Sequence, residues 1–269
     1  MIETLTTQTY SNFLNRNVPN LARIFDYLAG GTAHYAIDRT MASQMLSIFP
    51  SLRSWVRIRR AFSREAAIRL YDEGFKQFLD LASGIPSPTH MHTALPDVHI
   101  VFSDINPIAT SYGEGLFLES ETIAYVQADA REFETLAACR SVQMLIDLNE
   151  PVAIGLNSLP LFLEPDEMSA LSRKIFDWAP AGSCLFVMLQ TRQTAVSLSN
   201  YQTFLEMCQE AGLPMRIFTL EEHLALMSPW QTKTVQPITT YLGLPESILS
   251  QGEQSEFLLS GNAAFFVKP

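Results

Sequence analysis

From Gln77 onward, short apolar runs alternate with segments of helical spacing, which restricts the chain to an α/β fold: a doubly wound, mostly parallel sheet with crossover helices. The runs predict strands near 77–81, 98–103, 123–127, 152–156 and 184–189, with helices near 90–95, 107–118, 131–138, 165–178 and 199–211. Two later runs, Met215–Phe218 and Ala263–Val267, raise the expectation to a seven-stranded sheet whose last two strands are antiparallel. Ahead of the sheet, Leu21, Ile24, Phe25 and Leu28 recur at helical spacing until Gly30-Gly31 breaks the pattern. Further helices are expected over Ala36–Ile48, stopping before Pro50, and over Leu52–Tyr71, closed by Asp72-Glu73-Gly74. That last helix carries Arg53, Arg57, Arg59, Arg60, Arg64 and Arg69, read as a solvated face with neighbouring acids.

The 269 residues are therefore read as a single domain. It comprises a helical N-terminal extension over 1–74, a sheet core over 75–218, an insertion over 219–262 and a last strand over 263–269. Thr219 and Glu222 form a capping box at the start of the insertion. Because the insertion is too long for a hairpin and contains Trp230, Tyr241, Leu242 and Leu244, a packed substrate lid is expected there.

The chemistry is concentrated where the predicted strands end. Phe78-Leu79-Asp80-Leu81 runs into the small-residue turn Ala82-Ser83-Gly84-Ile85-Pro86-Ser87, the second run ends in Asp104, and Asp129 follows the third. Acids at successive strand ends describe a crevice for a ligand with a ribose and an adenine, and the second acid stands where a doubly wound fold binds ribose hydroxyls. A dinucleotide would want G-x-G-x-x-G so that the backbone could approach a pyrophosphate. Here Ala82, Gly84 and Ser87 occupy those positions, and Asp80 would repel a diphosphate while suiting the cationic amino group of a methionine-like tail. The turn thus favours S-adenosylmethionine over NAD. Asp129 also reads as an N-cap for a helix starting at Ala130-Arg131.

A formal net charge of −10 gives no basic footprint for a phosphate backbone, so nucleic acid is not the expected substrate. The hydrophobic content of 47% is ample for a core. Cys139, Cys184 and Cys208 match no disulfide or metal spacing, which suits free thiols in a reducing, cytoplasmic setting. The polar stretch Met1–Asn20 lacks the basic start and apolar core of a signal peptide, and no segment is apolar enough to span a membrane. No metal-ligand cluster and no G-x-S-x-G elbow appears. His34 is the candidate general base, since an imidazole takes a proton near neutral pH. A homo-oligomer is compatible with the sequence.

The run Ala22-Arg23-Ile24-Phe25-Asp26-Tyr27-Leu28-Ala29-Gly30-Gly31, followed by Tyr35 and Asp38-Arg39, together with the loop from Asp80 to His92, resembles a bacterial family of class I S-adenosylmethionine-dependent methyltransferases. That family was long catalogued as a domain of unknown function. The resemblance implies a Rossmann-like methyltransferase sheet and transfer of a methyl group to O, N or C of a small, partly hydrophobic molecule, with S-adenosylhomocysteine as product. It implies that Asp80, Ala82 and Gly84 line the methionine end of the cofactor, within a cofactor-binding loop that includes Ser83, Pro86 and His92. It further implies that Asp104 holds the ribose and that Asp129 reads the adenine amino group, with Ile105, Asn106 and Ala130 also binding the cofactor. Asn157 falls where such enzymes face the methyl group, and Arg23, Tyr27, Gly30 and Gly31 are expected to close over the cofactor. Three residues depart from the family pattern: Ala82 for glycine, His34 for asparagine, and Pro160 near a position often filled by histidine. They leave a second reading open, a protein that binds S-adenosylmethionine or S-adenosylhomocysteine without transferring the methyl, as scaffold or partner subunit.

Overall fold

Seven strands form one sheet in the order β3-β2-β1-β4-β5-β7-β6. They are β1 (Gln77–Leu81), β2 (His99–Asp104), β3 (Ile123–Gln127), β4 (Ala153–Gly155), β5 (Cys184–Arg192), β6 (Gln231–Pro237) and β7 (Leu259–Val267). The computed structural model describes residues 15–192, 199–210, 215–245, 248 and 259–269. The polar stretch 1–14, the helix end expected at Ala211-Gly212 and most of the stretch between 246 and 258 lie outside the described residues.

β1 to β5 are parallel to one another, and β7 runs antiparallel to both β5 and β6. Only β7 is reversed, not the last two strands as expected. The sixth strand is also not Met215–Phe218. That run buries Met215 and Ile217 in the core and forms an isolated bridge from Phe218 to Thr191, not a strand. The sheet edge is instead Gln231–Pro237, so part of the interval expected as a lid is built into the sheet. The helix expected at 90–95 is a single 3-10 turn, Met91–Thr93.

Period-two alternation sorts the strands between two apolar layers. Phe78, Ile100, Phe102, Ala153 and Phe186 face one, and Leu79, Val101, Ile154, Leu185 and Val187 face the other. The first layer lies under the N-terminal helices α1 (Leu21–Ala29), α2 (Ala36–Ile48) and α3 (Leu52–Asp72). The second lies under α5 (Pro165–Trp178), with α4 (Pro107–Leu116) flanking β2 and β3. Asp80 shares its face with Phe78, so its carboxylate points toward the N-terminal helices. α1 starts at Asn20, whose side chain accepts from the Ala22 and Arg23 N–H groups, and ends at Gly30 with φ 98°. No helix among the described residues is long and apolar enough to cross a membrane.

Candidate functional site

The carboxyl ends of β1 to β4 open into a cavity of about 410 Å³. It sits where the strand order reverses beside β1, the crevice that open parallel sheets use for ligands, and its size falls within the ~300–1,000 Å³ usual for small-molecule pockets.

β1 feeds a turn that lines the space with Ala82, Ser83 and Gly84. Ala82 (φ 52°) and Gly84 (φ 68°) both take left-handed conformations there. The Gly84 N–H donates to Asp104 Oδ2 at 2.8 Å, and the Asn106 N–H donates to Asp104 Oδ1 at 2.8 Å. The Tyr125 hydroxyl, from β3, donates to the Gly84 carbonyl at 2.7 Å. The ends of the first three strands are thereby tied into one rim. Burial raises the pKa of Asp104, while the Asn106 and Gly84 N–H groups and the Arg60 charge pull it back down.

Asp80 stands behind this wall. Its Oδ1 accepts from Asn157 Nδ2 at 2.8 Å, and the same amide donates to the Leu81 carbonyl at 2.8 Å. Opposite it, a Cβ on Gly155 would run into Asp80 Oδ1 and the Phe186 ring, so only glycine leaves room for the carboxylate. Burial pushes Asp80 up to about 7, against the hydrogen bonds of Ser83 and Asn157 and the charge of Arg60.

Ala82, Ser83, Gly84 and Asn157 line the cavity, as do Asp104, Ile105 and Asn106. Asp129 and Ala130 line it too. Asp129 caps the Ala130–Glu132 turn by accepting from the Arg131 N–H at 3.0 Å and pairs with the Arg131 guanidinium at 2.6 Å.

Arg23, Tyr27, Gly30, Gly31, His34, Asp80, Pro86 and His92 are not in the cavity wall. Arg23 is buried on Asp38, with Nε 2.7 Å from its carboxylate, and on the Val18 carbonyl. Gly31 is bare because the Asp26 carboxylate, accepting from the Ala33 N–H at 2.7 Å, fills the space a Cβ would take. His34, expected as a base, packs its ring on Tyr27 at 4.9 Å and lies 3.8 Å from Asp26. His92 points edge-on into Phe117 and Phe102 instead of toward the cavity. Of the motif Ala22–Gly31, the cavity wall takes Ala22 and Phe25, while Arg23 and Asp26 are buried in hydrogen bonds.

Several wall residues were not foreseen. Arg59 and Arg60, expected on a solvated face, are half-buried over the cavity. Arg59 donates to Ser158 Oγ at 2.7 Å and Gln190 Oε1 at 3.1 Å, while Arg60 donates to the Ile85 carbonyl at 2.8 Å. Burial, then the Arg60 charge, lowers Arg59 to about 10. His90, not His92, reaches the wall; it stacks on Phe102 at 5.7 Å, and its Nδ1 has no hydrogen-bond partner among the described residues. Burial, with Arg60 and His92 adding, holds its pKa well below the usual histidine value, which makes it a neutral imidazole. Phe25, Val56 and Phe162 supply apolar wall, and Arg216 pairs with Glu164 at the rim.

A family model described as S-adenosyl methyltransferase matches residues 7–237. Among solved structures, a Thermobifida fusca YX protein described as a candidate methyltransferase superposes with a TM-score of 0.81 at 24% identity, covering 94% of this chain and 96% of its own. A Streptomyces avermitilis MA-4680 protein of the DUF574 family gives 0.81 at 22% identity, over 94% of this chain and 98% of that one. More distantly, the geranyl diphosphate C-methyltransferase of Streptomyces coelicolor A3(2), solved with Mg2+, geranyl diphosphate and S-adenosyl-L-homocysteine, gives 0.53 at 10% identity over 76% of this chain and 80% of its own. No curated protein matches the sequence.

Proposed function

The chain belongs to the S-adenosyl methyltransferase family, enzymes whose methyl donor is S-adenosylmethionine, and from that premise we propose that the cavity over β1 to β4 holds this donor beside a small acceptor methylated on O, N or C. The carrying observation is Asp104, fixed from both sides by the Gly84 and Asn106 N–H groups at a strand end, with acceptor capacity left for ribose hydroxyls. The residues fit the donor in other respects. Gly84 and the small Ala82 leave room at the first turn, and Asp129 and Ala130 lie at the third strand end, where an adenine would reach. Asp80 sits one layer behind, as a carboxylate that attracts a cationic amino group through Asn157 rather than by open contact.

The bound donor supplies an electrophilic methyl group on a sulfonium. In-line displacement asks the protein mainly for proximity and alignment. The rigid rim can fix the donor, Asn157 and Ser158 border the space where the acceptor reacts, and Phe25, Val56 and Phe162 exclude water and hold an apolar body. Three free cysteines and the lack of a basic surface balance support a small-molecule enzyme of the cytoplasm over one acting on nucleic acid. Ala82 takes the left-handed conformation that a glycine would take, so that departure from the family pattern leaves the turn intact.

Titration calorimetry with S-adenosylhomocysteine, and with NAD as comparison, tests the reading. One-to-one binding of S-adenosylhomocysteine alone is expected, weakened at least about tenfold in Asp104→Ala as buried charge-assisted bonds to the ribose are lost. Unchanged affinity in that variant, or preferential binding of NAD, would overturn it.

A further inference from the structure

The cavity is divided by charge. Of its carboxylates, Asp104 and Asp129 stand at the ends of β2 and β3, and those at the rim are paired within the protein: Asp129 and Glu167 with Arg131, Glu164 with Arg216. Arg60 has Asp80, Asp26 and Asp104 around it. Arg59 differs. It reaches over β4 and β5, away from that acid cluster, and its hydrogen-bond acceptors among the described residues are the neutral Ser158 Oγ and Gln190 Oε1. The charge that bears on it is the like charge of Arg60, and its guanidinium stands 5.8 Å from the Phe25 ring. A half-buried guanidinium with no counter-ion among the described residues is a costly arrangement, and an anionic ligand relieves it.

We propose that Arg59 binds an anionic group, a carboxylate or a phosphate, on the methyl acceptor, whose apolar body packs against Phe25, Val56 and Phe162. This rests on the reading of the cavity as a methyl-transfer site. A donor spanning the acids at the ends of β1, β2 and β3 leaves the space over β4 and β5 for the acceptor, and there Arg59, unlike Arg216, has no carboxylate paired with it among the described residues. An amphipathic acid is the ligand class that satisfies both features.

The test uses the full chain saturated with S-adenosylhomocysteine and three probes of one shape: 2-naphthoate, 2-naphthyl phosphate and 2-naphthamide, followed by ligand-observed NMR titration. At least one anion is expected to bind about tenfold more tightly than the amide, with the preferred anion distinguishing carboxylate from phosphate. Arg59→Gln should abolish that preference while S-adenosylhomocysteine affinity stays within about twofold, and Arg59→Lys should retain part of it. Binding of the amide as tight as that of both anions, or no probe binding, overturns the inference. So does an Arg59→Gln variant that keeps the preference, and one that loses S-adenosylhomocysteine binding assigns Arg59 to the donor instead. Failure of the wild-type chain to bind S-adenosylhomocysteine would overturn the function proposed above and this inference with it, whereas donor binding without anion preference overturns the inference alone. The wild-type preference is read without any variant, so a poorly folding substitution does not decide the outcome.

Discussion

At Ala82 a side chain occupies a backbone conformation that belongs to glycine. Its φ of 52° costs an L-residue about 1–2 kcal/mol, while restoring glycine would release only about 0.4–1 kcal/mol of extra freedom to the unfolded chain. The first effect wins. Ala82→Gly is therefore expected to leave stability unchanged or raise it by about 1 kcal/mol, read as the midpoint of urea unfolding; a loss of that size would show that the Ala82 methyl group makes a contact worth more than its strain. Residue-level legibility follows the same logic of what is local. Asp104 and Asp129 could be picked out because a strand end is a local pattern, and the cavity wall includes both. Arg59 and Arg60 could not, because an arginine-rich helix has the same local signature whether water or a cavity faces it. His90 and His92 are two residues apart on an irregular turn, and only the packing of Phe102 and Phe117 decides which of them reaches the wall.

At the scale of elements, the N-terminal helices are joined to the sheet by a buried polar chain. Asp38 of α2 accepts from Arg23 Nε at 2.7 Å, from the Asn20 N–H at 3.0 Å and from the Tyr35 N–H at 2.8 Å. Asn20 in turn accepts from Asn106 Nδ2 at 3.0 Å, and Asn106 donates its N–H to Asp104. Asp38→Ala removes the carboxylate shared by the Arg23, Asn20 and Tyr35 donors and is expected to cost about 3–5 kcal/mol in chemical unfolding. If the variant remains folded, its S-adenosylhomocysteine affinity should also fall by about threefold or more, because Asp104 loses the brace behind it; wild-type affinity in a folded variant would show that the chain is structural only. The paired glycines and the acids of this motif were visible in the sequence, but the Asp38–Arg23 pair and the Asn20–Asn106 bond join residues 15 and 86 apart, which no local pattern encodes. The strand β6 was illegible for the opposite reason. Gln231–Pro237 is polar, contains Lys233 at a register shift and ends in proline, the features by which an edge strand avoids further pairing, so it carries no apolar run. The central strands, buried on both faces, showed continuous apolar runs and were found within a residue or two of their observed ends, except at the longer β5 and β7.

At the scale of the whole molecule, the two layers and the N-terminal helices bury several acids that water would otherwise ionise, and the pH dependence of stability follows. Burial raises Asp80 to about 7 and raises Asp104 and Asp26 as well. A carboxyl group whose folded pKa exceeds its unfolded value keeps its proton in the folded state over the interval between them. Stability is thus highest at the acid end and falls as pH rises from about 4 toward 7, by at most about 4 kcal/mol for Asp80, given roughly three pH units at 1.36 kcal/mol each. The net charge of −10 contributes its own repulsion with the same sign, so the variant Asp80→Asn is the needed control. Thermal melts of the ligand-free protein between pH of about 5.5 and 7.5 should show a falling midpoint in wild type and a clearly shallower fall in Asp80→Asn, whose Oδ1 can still accept from Asn157. Equal slopes would mean that Asp80 is ionised throughout and that burial does not govern it. By linkage, ionisation of Asp80 above this interval creates a negative charge behind the cavity, and under the function proposed above a cationic donor is expected to recover part of that cost on binding.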